Sequence, residues 1–140
     1  MECKVSWLGG GGMAFSAETG SGHLVNMDGA PEAGGKNLAP RPMELLLAGA
    51  GGCSAFDVVL ILQKARQAVS ACNVTLQAER ATEDPKVFTK INLHFAVKGK
   101  DLDQVKVDRA VKLSHEKYCS ATTMLAKTAE LTYSIEVISE

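Results

Sequence analysis

The sequence predicts an α+β fold with antiparallel sheets and one long helix, in the order βββ-α-ββ-α-α-β. Three observations carry this. Residues 3–7, 72–82, 87–97 and 131–137 alternate between apolar and polar, the period of half-buried strands. A long apolar run opens at Pro42, a helix position where a missing N–H does no harm, and continues to about Gln67. The strands come in clusters rather than alternating singly with helices, which favours antiparallel pairing over repeated βαβ units. The 140 residues suit a single domain, 1–140, long enough to bury a core without metals or disulfides.

Taken in order, Cys3, Val5 and Trp7 share the apolar face of a first half-buried strand, and Gly9–Gly12 turns into a second around Met13, Phe15 and Ala17. Gly20-Ser21-Gly22 leads to a third strand near His23–Met27. Asp28–Pro40, rich in glycine and proline, reads as a long loop of the kind that is functional or tied down. Cys72, Val74, Leu76 and Ala78 form the inward face of the next strand. After a turn at Glu83–Lys86 come Val87, Ile91, Leu93, Phe95 and Val97, with Phe88 on the opposite face; the two strands make a hairpin. Asp103 is placed to cap a second helix whose apolar phase is Val107, Val111, Ser114 and Tyr118. A break near Tyr118-Cys119 precedes a short helix, Ser120–Lys127, and a last strand carries Leu131, Tyr133, Ile135 and Val137 inward.

A net charge of −1 offers no basic field for nucleic acid or an anionic membrane. The first ten residues lack a signal-peptide apolar core, and Glu44 and Asp57 interrupt the apolar run, so no membrane span is expected and the cytoplasm is the expected location. The four cysteines, Cys3, Cys53, Cys72 and Cys119, form no CxxC pair and no ligand set at the short spacing of a structural zinc site, so no such site is expected.

Cys3 and Cys72 fall on apolar strand phases and read as small core residues. Cys53 lies in LAGAGGCSA, where Ala48/Gly52 and Gly49/Cys53 make a continuous face of small side chains. Such a face serves either close helix packing or a thiol that another group must approach. Cys119 stands near the start of a short helix, where partial positive charge favours a thiolate; Lys117 is close by, and His115 lies four residues earlier. Asp57, one turn after Cys53, is expected to face solvent or a partner's cation.

Two cysteines 66 residues apart, in RPMELLLAGAGGCSAFDVV and SHEKYCSATTML, together with HLVNMDG and the order of elements, resemble the OsmC-like family across essentially the whole chain. That family includes osmotically inducible protein C and the organic hydroperoxide resistance proteins; the likeness is nearest to its YhfA-like branch. The resemblance implies an intertwined homodimer with paired central helices and active sites at the subunit interface. It implies thiol peroxidase chemistry on organic hydroperoxides, with Cys53 attacking, Cys119 resolving, an external dithiol as reductant, and no metal or organic cofactor.

The chain departs from the peroxidase pattern at two places. Met43 stands where active members carry glutamate, with Glu44 one residue later and so rotated by about 100°. GGGGMAFSAETG contains no arginine for the thiolate, leaving Arg41 as the nearest substitute in sequence. A thiol in an apolar interface without a cation should be harder to ionise. Three readings follow: a two-cysteine peroxidase supported by Arg41 and Glu44, a redox-sensing or apolar-ligand-binding module with little turnover, and a scaffold with inert cysteines.

Overall fold

The computed structural model describes residues 1–140. Two compact units emerge, Met1–Leu47 and Ala48–Glu140. In the first, β1 (Cys3–Trp7), β2 (Phe15–Thr19) and β3 (Leu24–Met27) form an antiparallel meander, with Trp7 opposite Phe15 and Phe15 opposite Met27. The β1–β2 turn holds Gly9, Gly10 and Gly11 at φ of 72°, 68° and 71°, a run that side-chain-bearing residues rarely adopt. Half-burial of β1 does not hold: all five of its residues are exposed, Val5 and Trp7 at 56% and 58%. Three strands of four or five residues cannot cover both faces of their own sheet, so the alternation marks an apolar face without burying it. Cys3 is exposed with it, not in a core.

The 28–40 segment is organised by one carboxylate. Asp28 is buried and accepts N–H bonds from Gly29 (2.8 Å), Lys36 (3.0 Å) and Leu38 (3.2 Å). The Leu38 and Lys36 amides hold its carboxyl below the ordinary value of 3.8, against the opposing effect of desolvation. Pro31–Ala33 makes a single 3-10 turn inside the loop. The loop is thus tied down by its own first residue.

The helix α1 (Pro42–Lys64) begins with a capping-box bond: the Arg41 N–H donates to the Glu44 carboxylate three residues on (2.9 Å). It ends three residues before the expected Gln67. Arg66 adopts a left-handed φ of 57°, with Gln67 N–H bonded to the Leu62 carbonyl (2.9 Å) and Arg66 N–H to that of Gln63 (3.0 Å), a Schellman closure. By length and composition alone α1 could cross a membrane. In the structure its residues Ala50, Gly51, Ser54, Val58 and Leu62 are buried on one face. A Cβ on Gly51 would lie 2.6 Å from Leu76 Cδ1, so the helix packs on the second sheet.

That sheet begins with the hairpin β4 (Ala68–Arg80) and β5 (Phe88–Lys100), in register with Leu76 opposite Leu93. Ile91, Leu93, Phe95 and Val97 are buried as expected. Phe88 is buried too, contrary to its expected phase. Glu79 pairs Lys90 while Arg80 pairs Phe88, so Thr89 is a bulged extra residue that turns Phe88 inward.

Asp103 does cap α2 (Gln104–Leu113), its carboxylate accepting the Val105 N–H (2.9 Å). A π turn over Ser114–Tyr118 follows, closed by Cys119 N–H on the Ser114 carbonyl (2.9 Å), then α3 (Ser120–Leu125) and β6 (Glu130–Ser139). Contrary to the expected antiparallel pairing, β6 runs parallel to β5, with Lys90 opposite Glu130 and Gly99 opposite Ser139. The helices between them form the long crossover that a parallel pair requires.

Candidate functional site

Cys53, Ser54 and Asp57 project from adjoining positions of α1, Cys53 and Asp57 being i,i+4 neighbours on one face. Cys119 sits at the break between the π turn and α3. The two sulfurs and an Asp57 carboxylate oxygen all lie within 4.8 Å of one another. Cys119 has no exposed surface, while Cys53 and Asp57 are half-buried, so the cluster is approached from the Cys53 side.

A net of hydroxyls fixes the pair. Ser54 Oγ donates to Cys119 Sγ (3.3 Å), and the Thr122 N–H donates to the same sulfur (3.4 Å). Thr123 Oγ1 donates to the Cys119 carbonyl (2.9 Å), holding the turn. Ser114 Oγ is 3.1 Å from Asp57 Oδ2 and 3.5 Å from the Ser54 carbonyl; its one proton goes to the nearer, charged acceptor.

These contacts make the thiols unequal. Burial works against a Cys119 thiolate, but the Ser54 hydroxyl, the Thr122 donors and the Cys53 thiol outweigh it and draw Cys119 down from the ordinary thiol value. The Ala121 N–H favours a Cys53 thiolate, yet desolvation and the adjacent Cys119 sulfur prevail and push Cys53 up. The first proton therefore leaves Cys119, and Cys53 keeps its proton, shared toward Cys119. Removing Cys119 should relieve Cys53: the pH–rate profile of Cys53 alkylation by iodoacetamide is expected to shift to lower pH in Cys119→Ala. An unmoved profile would refute the coupling. Cys72, raised by burial alone, should label more slowly than exposed Cys3.

The structure brings Cys53 and Cys119 together. Arg41 and Glu44 meet each other at the start of α1. His115 packs against the Tyr133 ring (5.0 Å between centroids), and Lys117 lies over Tyr118 (5.2 Å). Asp57 faces the thiols, not solvent or a foreign cation, and is held there by Ser114. Asp57, Ser54 and Ser114 are the site residues that sequence reasoning missed. The i,i+4 spacing of Cys53 and Asp57 was one available signal. The other is Ser114 itself, a buried hydroxyl just past the end of α2 that needs a polar partner.

The small residues of α1 serve two faces. Gly51 is required by Leu76 of this same chain, whereas a Cβ on Gly49 or Gly52 would meet nothing within 4 Å. Gly52, Ala55, Phe56, Val59, Leu60 and Gln63 line a shallow groove of about 300 Å³ on that open side.

Cys53 on the long helix α1 thus faces Cys119 in the crossover that joins the parallel strands β5 and β6. The chain belongs to the OsmC-like protein family, whose model matches residues 34–134. It is 52% identical to protein YhfA of Escherichia coli strain K12 over 139 residues, 99% of each chain. It is 30% identical to a hypothetical protein of Aquifex aeolicus VF5 whose crystal structure superposes with a TM-score of 0.85, covering 99% of this chain and 96% of that one. The fold alone is shared with an organic hydroperoxide resistance protein from Legionella pneumophila, at 19% identity, a TM-score of 0.68 and 98% coverage of both chains.

Proposed function

We propose that the chain, acting as one domain within a cytoplasmic homodimer, reduces organic hydroperoxides through Cys53 and Cys119 at the expense of a dithiol. The observation that carries this reading is the placement of the two sulfurs within 4.8 Å, one half-buried and one wholly buried. Family membership supports a peroxide-linked redox role, and the open apolar groove on α1 supports a second copy of the chain packing there.

The steps follow from accessibility. A hydroperoxide reaches Cys53 first. The Cys53 proton passes to the Cys119 thiolate, and the Cys53 thiolate attacks the distal peroxide oxygen. The O–O bond breaks, the alkoxide takes the proton now held by Cys119 and leaves as the alcohol, and Cys53 becomes a sulfenic acid. The Cys119 sulfur displaces water from it, closing a disulfide. Two thiols of an external dithiol then reopen the disulfide by exchange. Arg41 and Glu44 contribute as the cap of the helix that carries Cys53.

The raised Cys53 and the Asp57 carboxylate beside it favour a second reading, a redox sensor that oxidises in the same way but turns over slowly. One equivalent of cumene hydroperoxide, followed by intact and peptide mass spectrometry, tests the chemistry that both readings share. A loss of two protons localised to a Cys53–Cys119 linkage is expected. Four surviving free thiols would refute both. Steady-state turnover with dithiothreitol separates enzyme from sensor: many equivalents of peroxide consumed per chain mark an enzyme, a single equivalent a sensor.

A further inference from the structure

We propose that reduced Cys53, Cys119 and Asp57 form a binding site for a borderline-soft divalent cation of the zinc type, two thiolates and one carboxylate leaving a fourth position open. The argument is geometric and electrostatic, and it does not depend on the peroxide reading. Three donor atoms of the types zinc takes lie within 4.8 Å of one another. Tetrahedral zinc places sulfur and oxygen ligands roughly 3.5–3.8 Å apart, so no pair in the cluster must close by more than about 1.3 Å. Cys53 and Asp57 are both half-buried, while Cys119 is wholly buried at the back.

The surroundings suit a metal. Ser54 Oγ and the Thr122 N–H donate to Cys119 Sγ and would continue to orient that sulfur with a cation bound. Ser114 occupies Asp57 Oδ2 and leaves the other carboxylate oxygen free to ligate. None of the ion pairs in the chain includes Asp57. Solvent would complete the coordination from the open Cys53 side. The two ligands on α1, Cys53 and Asp57, stand at the i,i+4 spacing by which one helix face offers two donors to one ion. Metal binding and disulfide formation use the same sulfurs and exclude one another.

The test uses the full-length reduced chain, freed of metal by chelation, in a Cys3→Ser background that removes the exposed thiol. Zinc titration by calorimetry should show one ion per chain. Cobalt should give a thiolate-to-metal charge-transfer band in the ultraviolet, absent from the oxidised protein. Cys53→Ser should abolish the band. Ser114→Ala, which removes only the outer hydrogen bond, should weaken zinc about tenfold, and Asp57→Asn should weaken it more. Both ligand variants sit at half-buried positions, and an unchanged circular dichroism spectrum establishes that each is folded. No charge-transfer band, binding that survives Cys53→Ser, or indifference to Asp57→Asn would overturn the assignment. Because the readouts are stoichiometry and spectrum, a protein that binds zinc but consumes no peroxide would refute only the peroxide reading.

Discussion

Cys53→Ser is expected to lower hydroperoxide turnover by at least about a thousandfold, to the rate without protein, since removal of a nucleophile leaves no covalent route. The effect should be specific. Cys53 is the half-buried member of the pair, so it alone meets a substrate, and a serine hydroxyl is not an effective nucleophile toward an O–O bond at neutral pH. Cys119→Ser should behave differently. The first oxidation survives, and a Cys53 sulfenic acid accumulates and is trapped by dimedone, because the buried sulfur that would displace water is gone. Steady-state rates fall in both variants, but only Cys119→Ser retains one rapid equivalent of peroxide consumption. If Cys53→Ser consumed peroxide like the wild type, neither thiol assignment would stand.

Leu62→Ala should be the most damaging truncation on α1. Leu62 has no exposed surface, and removing its side chain leaves a cavity under the helix. A cost of about 3 kcal/mol is expected, a fall in Tm of roughly 10 °C for a chain of this size, measured by thermal circular dichroism. Phe56→Ala on the opposite face gives the contrast. Phe56 is 67% exposed, so within one chain its loss should change stability by less than about 0.5 kcal/mol. In the proposed dimer Phe56 lines the open groove, and its truncation should instead shift the sedimentation coefficient toward the monomer. A Phe56→Ala protein sedimenting like the wild type would place the dimer contact elsewhere.

Local chemistry was legible in the sequence wherever a residue acts on its near neighbours. Asp103 caps α2, Pro42 opens α1, and the chain breaks at Cys119 as the pattern suggested. The early end of α1 was less visible, because a left-handed Arg66 does the work usually given to glycine. The parallel β5–β6 pair was hidden, because strand direction depends on where a 29-residue connection travels and alternation is the same either way. The bulge at Thr89 was hidden for the same reason: it is a property of the pairing and not of one strand. At the site, the cysteines stand out by type, whereas Asp57 reads from sequence as facing solvent or a partner's cation, because its charge would disfavour a neighbouring thiolate. Ser114 offers a clue as a hydroxyl on the apolar phase, but naming its partner requires the approach of the π turn to α1.

The parallel pairing of β5 and β6 has a consequence for the order in which the molecule matures. The β4–β5 hairpin closes over a short turn and can form early, whereas β6 can add only after the chain has traversed α2, the π turn and α3. Cys119 lies within that late segment, 66 residues from Cys53. The two thiols can therefore face each other only once the crossover has been laid against α1, and until then each is a single cysteine without a partner. Competence for reversible oxidation would then report that the chain is finished: a protein damaged before β6 docks would be scarred on single cysteines, whereas one damaged afterwards would be recoverable.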